Sequence, residues 1–350
     1  MKVVATGTWR ATIYRNVREN WFIYSGQFFL AILVGARDLD VGTDTLRYAE
    51  WYAVIADCYC LWGTVEPGFN VFSLIISLIS DSTVFYFFVI SMALFIMTNV
   101  ISGKVVNLDS QLEKKNKQLI SALILMAFLV SPFFVSAHIN AIRQGMAAFI
   151  VFYAFLSFYD RSWVKFLIAS VLAISIHTTS IMYLVLFPLL LIPFHILFAM
   201  SVGLSITYAS GFSEVMVMHL SNALDLPLYD FVAGYQENQA YQSGVRYDFL
   251  IFSWLGLCFA LIGRYFSNKK KVITSLLSVY IILMIPFLIL GFANFSNRYA
   301  YTAWLFLSVL TAYAAYSIPV WEKLRVVVSP YALILGSLAF LLMALNGFAR

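Results

Sequence analysis

Six arginines, with a few acids, amides and histidines, are the residues of this chain least easily assigned to packing. Arg37, Arg47, Arg143, Arg246, Arg298 and Arg350 all stand apart from the lysine-rich segments. A guanidinium grips phosphate or carboxylate with a planar two-pronged fork that an ammonium lacks. Around the arginines lie polar residues that apolar helix ends do not need. Arg37-Asp38-Leu39-Asp40-Val41-Gly42-Thr43-Asp44 closes on a Gly-Thr-Asp turn and leads to Tyr48, and Glu66-Pro67-Gly68-Phe69 opens a short apolar segment. His138-Ile139-Asn140-Ala141-Ile142-Arg143-Gln144 precedes a long one, and Asn294, Asn297, Arg298 and Tyr299 lie ahead of another. A helix starting near Gln144 aims its free amides and the positive end of its dipole at whatever Arg143 holds.

Candidate proton acceptors are His177, Asp44 and Glu66, histidine being the side chain that ordinarily titrates near neutrality. His177 follows Ala173 at i+4 and precedes Thr178, Thr179 and Ser180. Each has a structural alternative. His177 can be satisfied by the Thr178 to Ser180 turn, Asp44 can bond its own backbone, Glu66 can simply orient the segment that it opens, and the arginines can snorkel to headgroups. His138 reads first as a neighbour of Arg143 and second as a binding residue; His195 and His219 have no expected role. The three cysteines form no zinc pattern: Cys58 and Cys60, one residue apart, are too close for an easy disulfide, and all three read as small apolar filler.

The elements that must position these residues are set by composition. Of 350 residues, 62% are hydrophobic and 11% charged, with a mean hydropathy of +0.86. A soluble domain carries about 25% charged residues, so this chain cannot coat a globule. Its aromatic content of 17% argues against disorder, and its helix-length apolar runs argue against an outer-membrane barrel, whose strands alternate. The expected class is an all-α polytopic membrane protein forming one transmembrane domain over residues 1–350, its basic segment 1–20 cytoplasmic. Apolar blocks fall at 21–36, 84–102, 119–137, 144–159, 162–176, 180–192, 194–211, 249–266, 272–291, 299–318 and 327–346. They predict eleven spans, with 69–80 a re-entrant or interfacial half-helix.

Threading eleven spans from a cytoplasmic N-terminus puts all ten lysines and six arginines inside, as cytoplasmic loops require. The six arginines above and twelve of the seventeen acids fall outside. Loops 37–68 and 212–248 are then the long outer ones. In the second, Tyr229, Tyr235, Tyr241 and Tyr247 recur every six residues as candidates for sugar stacking, and Gly234 and Gly244 are candidate hinges of a lid. The Lys269-Lys270-Lys271 run reads as a topological anchor rather than a nucleic-acid patch.

In this order, Arg37 with Val41-Gly42-Thr43-Asp44, then Glu66-Pro67-Gly68-Phe69, Asn140-x-x-Arg143-Gln144 with Ala147, and Ala173-x-x-x-His177-x-x-Ser180 resemble the EpsG branch of the Wzy-type polysaccharide polymerases, across roughly residues 35–300. Members of that family carry a further helix ahead of the first arginine motif, where this chain has its basic segment. The resemblance implies a GT-C-like glycosyltransferase of the bacterial inner membrane, with its active site facing the periplasm or exterior and no cofactor, metal or nucleotide sugar. Its donor and acceptor are then oligosaccharide repeat units on polyprenyl pyrophosphate. Membrane lipid and a chain-length regulator protein are the other expected partners, with no nucleic acid.

On that reading Arg143 and Arg298 stabilise the departing pyrophosphate, and His177, Asp44 or Glu66 takes the proton of the attacking hydroxyl. Arg37, Asn140, Gln144, Arg246, Tyr299 and His138 bind substrate. An oligosaccharide ligase with the same donor, and a transporter or flippase for the lipid-linked sugar, are the alternatives.

Overall fold

A computed structural model describes residues 21, 23–61, 66–110, 112–225, 227, 229–230, 244–318 and 330–345. Its regular elements are all helical among these residues. In chain order they are α1 (Ile23–Gly35), α2 (Thr45–Cys58), α3 (Pro67–Ser77), α4 (Thr83–Asn107), α5 (Lys114–Leu129), α6 (Pro132–Ile139), α7 (Ile142–Tyr159) and α8 (Trp163–Ile176). After 3-10 turns around α9 (Ile181–Leu184) come α10 (Phe194–Ala209), α11 (Phe212–Ala223), α12 (Tyr247–Phe266), α13 (Lys270–Leu290), α14 (Ser296–Ser317) and α15 (Pro330–Leu345). The basic N-terminal segment, Lys323, Arg325, Arg350, Tyr235, Tyr241 and Gly234 lie outside the described residues.

Helix edges follow local chemistry. Pro67 and Pro132 sit in the first turns of α3 and α6, where a missing N–H costs nothing. The Ser82 hydroxyl accepts the Phe85 amide at the start of α4. Pro132 also splits the apolar block 119–137 into α5 and α6, bent by 66°, because a proline inside a helix loses a bond and clashes with the preceding turn. At Gly211, with φ +75°, α10 turns by 94° into α11, so the outer loop expected from residue 212 begins as a helix. Pro188 and Pro193 break the block 180–192 into short turns.

Among the described residues four helices, α4, α7, α12 and α13, are long and apolar enough to cross a membrane, and six spans result if each bent pair is one. The protein is therefore a multi-pass membrane protein, with four to six spans supported of the eleven expected. The other blocks are helices too short, or too polar, to qualify by themselves.

The centre of the bundle is α7, α13 and α14. Of the apolar window of α13, 83% is buried, against 22% for α12, which lies at the periphery. Although α14 is rich in Tyr, Thr and Ser, it is buried from Ala300 to Leu310, because its polar groups bond to its neighbours. Tyr301 Oη donates to the Phe133 carbonyl at 2.8 Å, and Trp304 Nε1 donates to Ser253 Oγ at 2.8 Å. A reciprocal amide pair, Gln27 with Asn99, ties α1 to α4 in the same way. Such interhelical bonds are worth about 0.6 to 2 kcal/mol in a membrane.

One expectation is corrected. Cys58 and Cys60 form a disulfide instead of acting as apolar filler. Tyr59, between them, ends α2 in the left-handed region at φ +50°, which folds Cys60 back until the two Cα atoms are 5.2 Å apart. That separation lies within the usual range for a bridge.

Candidate functional site

Glu66 is the meeting point. Three breaks in helical structure bring it against His177 and Arg143, which are 111 and 77 residues away in the chain. Glu66 caps α3 with an extended ψ of 138° but makes no side-chain cap bond, so its carboxylate is available to other elements. His177 ends α8 in an extended conformation (φ −154°, ψ 112°), which turns its ring away from the helix. Arg143 lies in the first turn of α7, just after the break at Asn140 and Ala141. The approach of α3 to α8 depends on Gly68, since a Cβ there would stand 2.8 Å from the backbone carbonyl carbon of Ser175, well inside contact distance.

The Glu66 carboxylate is shared. Oε1 lies 2.8 Å from His177 Nδ1 and accepts the Thr178 amide at 3.3 Å. Oε2 accepts from Arg143 Nη1. The Nε–H of Arg143 donates to Tyr48 Oη at 3.2 Å, and Tyr48 packs edge-on against Phe69, on which Trp51 stacks. Burial alone raises the Glu66 pKa, but the His177 bond, its own backbone amide and the Arg143 and His177 charges outweigh that and hold it at about 2, against an ordinary 4.5. Burial is also the largest influence on Tyr48, raising its phenol despite the opposing Arg143 guanidinium.

Two chemical consequences follow. A carboxylate with a pKa near 2 stays ionised and is a weak proton acceptor, so it acts by accepting hydrogen bonds. His177 Nδ1 must then carry the proton that it shares with Glu66, which leaves Nε2 as the ring atom able to take another. The His177 side chain is 20% exposed and that of Arg143 31%, so both can reach a bound molecule while still anchored.

The other expected residues fall into three groups. Gln144 and Arg298 adjoin the cluster: Gln144 Nε2 donates to the Arg298 carbonyl at 2.6 Å, and Tyr183 Oη donates to the Tyr299 carbonyl at 3.0 Å. Arg298 itself is exposed, stacks over Phe295 at 4.4 Å and makes no ion pair among the described residues. Phe295, at φ +59°, starts α14 and its carbonyl accepts the Arg298 amide at 2.8 Å.

A second group forms a strap. Arg37 is 5% exposed, donates to the Val34 carbonyl and to Thr45 Oγ1, and lies 4.2 Å from the Phe87 ring. Burial lowers its pKa to about 10. Thr45 also bonds the Ile139 carbonyl at 3.0 Å. Asn140 packs on Gly42, whose φ of +96° suits glycine. The strap thus fixes α2, and with it Tyr48, against the α6–α7 break. His138 is fully buried among Phe95, Phe134 and Phe340, with Nδ1 2.8 Å from the Phe134 carbonyl. Asp44 precedes α2 without a side-chain cap bond.

Arg246 stands elsewhere. It is engaged by Asp248 through two bonds of 2.9 and 2.6 Å and lies over Phe249, and the Asp248 bond is the largest contribution to its raised pKa. Of the loop tyrosines, Tyr229 bonds Glu214 and stacks on Phe292, and Tyr247 bonds the Ala209 carbonyl. Among the described residues no three His, Cys, Asp or Glu side chains converge as a metal centre requires.

Sequence reasoning gave no chemical role to Tyr48, Gly68 or Tyr183. For Tyr48 a signal existed, since it lies one helical turn after Asp44. For Gly68 and Tyr183 there was none, because both act through elements that are distant in the chain. Compared with known proteins, residues 20–349 match the model of the EpsG family. No curated protein and no solved structure matches the chain.

Proposed function

The chain belongs to the EpsG family, that of Wzy-like polysaccharide polymerases, and from this membership and the Glu66 cluster we propose that it joins oligosaccharide repeat units carried on polyprenyl pyrophosphate. The reaction takes place at the outer face of the bacterial inner membrane. An acceptor sugar hydroxyl attacks the anomeric carbon of the donor unit, a new glycosidic bond forms, and the bond to the pyrophosphate oxygen breaks with its electron pair leaving on the pyrophosphate. The hydroxyl proton passes to His177 Nε2. Glu66 orients the ring and stabilises the imidazolium that results, without itself taking the proton.

Charge on the leaving group must be met by fixed cations in a water-poor site. Arg143 is held by Glu66 and Tyr48, while Arg298 stands on the neighbouring turn. Arg37 acts by positioning α2 rather than by contact, Arg246 supports the outer rim, and Asn140 keeps the α6–α7 break in place. The observation that carries the reading is the one carboxylate bridging a histidine and an arginine, with Gln144, next to that arginine, bonded to the Arg298 carbonyl.

The test is replacement of Arg143 by Lys, which keeps the charge and loses the fork, and of His177 by Gln, in cells making the polymer. Both variants should lose polymer by about 10²-fold or more while single repeat units remain attached to their final acceptor. Normal polymer in both sinks the proposal. Loss of the single attached units as well points to an oligosaccharide ligase instead.

A further inference from the structure

The end of the bundle away from Glu66 holds a separate open pocket of about 380 Å³, polar on one side, where α13 begins. The helices themselves set the distance: α13 runs from Lys270 at this end to Leu290 near the Arg298 turn, about 31 Å at 1.5 Å per residue. Lys270, Lys271, Thr274, Ser275 and Ser278 line one wall from α13, and Tyr159 comes from the last turn of α7. We propose that this cavity binds a phosphate-bearing anion and plays no part in glycosyl transfer.

Charge accounting at this end supports an anionic occupant. Lys269 is paired with Asp109 at 3.1 Å and Lys104 with Asp160 at 2.5 Å. Among the described residues neither Lys270 nor Lys271 has an acidic partner, and both line the pocket at the positive end of the α13 dipole. A third cation stands at its edge, because Arg264 Nε donates to Thr274 Oγ1 at 2.8 Å with the guanidinium 5.1 Å from the Phe194 ring.

The hydroxyls make the site more than a charged surface. Tyr159, Ser275 and Ser278 share the lining, and Ser275 Oγ donates to the Lys271 carbonyl at 3.1 Å. The Ser275 proton is committed to that carbonyl, whereas Thr274, whose Oγ1 accepts from Arg264, keeps a hydroxyl proton to donate to an oxyanion. The opposite wall, Leu190, Ile192 and Phe194, is apolar. A phospholipid headgroup with its chains along that wall and a soluble phosphate in the polar half share the recognition chemistry.

The full-length protein in detergent distinguishes them by thermal unfolding with phosphatidylglycerol, phosphatidylcholine and inorganic phosphate as separate probes. Phosphatidylglycerol should raise the Tm and phosphatidylcholine should not. The Lys270→Gln/Lys271→Gln variant should bind about fivefold more weakly for each lysine removed, whereas Lys270→Arg/Lys271→Arg and Lys165→Gln should keep wild-type affinity. Stabilisation by inorganic phosphate, lost in the same Gln variant, assigns the site to a soluble anion and also supports the proposal. Equal stabilisation of wild type and Gln variant by phosphatidylglycerol, or no stabilisation by any probe, overturns it. The Gln variant should still join repeat units at the wild-type rate, so the anion site and the Glu66 reading fail independently.

Discussion

The two ends of the bundle use cations in opposite ways. At the Glu66 end, one carboxylate serves Arg143 and His177 from different helices, and Arg143 is also held by Tyr48. At the Lys270 end, Lys104 pairs with Asp160 and Lys269 with Asp109, and Lys270 and Lys271 line an open pocket. Arginine's rigid fork suits the first arrangement, and lysine's flexible stem suits the second. On the proposed function, net positive charge does not identify the chemical end of this molecule. What would mark it is a partly buried carboxylate whose bonds fix the geometry of its partners.

The strongest way to break this contrast is Glu66→Gln, which removes the shared charge without changing shape. Turnover of single repeat units in reconstituted vesicles should fall by about 10²- to 10⁴-fold, and a turnover near wild type would place both ends on the same footing. The pH dependence of stability sharpens the point. Because the Glu66 pKa is depressed to about 2 from 4.5, its contribution is complete above the ordinary carboxylate range and lost as pH falls through about 2. Thermal unfolding of wild type and Glu66→Gln should therefore differ by a constant amount above pH 5 and converge toward pH 2.

A smaller effect is expected at Gly68→Ala, where the new methyl meets Ser175 backbone atoms that cannot swing aside. The cost should be about 1 to 3 kcal/mol, read as a lowered Tm together with reduced turnover, since α3 and α8 must separate to accept it. The smallest belongs to the other end. Lys104→Gln breaks the Asp160 pair and a contact with the Tyr153 ring, and should cost at most about 1 kcal/mol with turnover unchanged. A loss as large as that of Gly68→Ala would mean that the basic end is as tightly organised as the Glu66 end.

Much of the helical layout was legible because apolar runs of helix length have few alternatives in a lipid solvent. The α4, α7, α12 and α13 helices fall where the blocks at 84–102, 144–159, 249–266 and 272–291 indicated. The bend at Pro132 was open to the same reasoning, yet the block 119–137 reads as one span if hydropathy outweighs the proline. The Cys58–Cys60 bridge was not legible, since it depends on the left-handed turn at Tyr59. Arg37 and Arg298 look alike in sequence, each beside a helix mouth, but one is 5% exposed under Phe87 and the other is exposed.

The amino-acid order by itself determined the solvent, the helical class and the short list of residues with chemistry to offer, because composition and periodicity act locally and need no partners. Only the tertiary structure decided that Glu66, Arg143 and His177 share one set of hydrogen bonds. Those residues are brought together by a proline start, an extended helix end and a glycine contact on separate elements, and a carboxylate's proton affinity depends on which neighbours reach it in space.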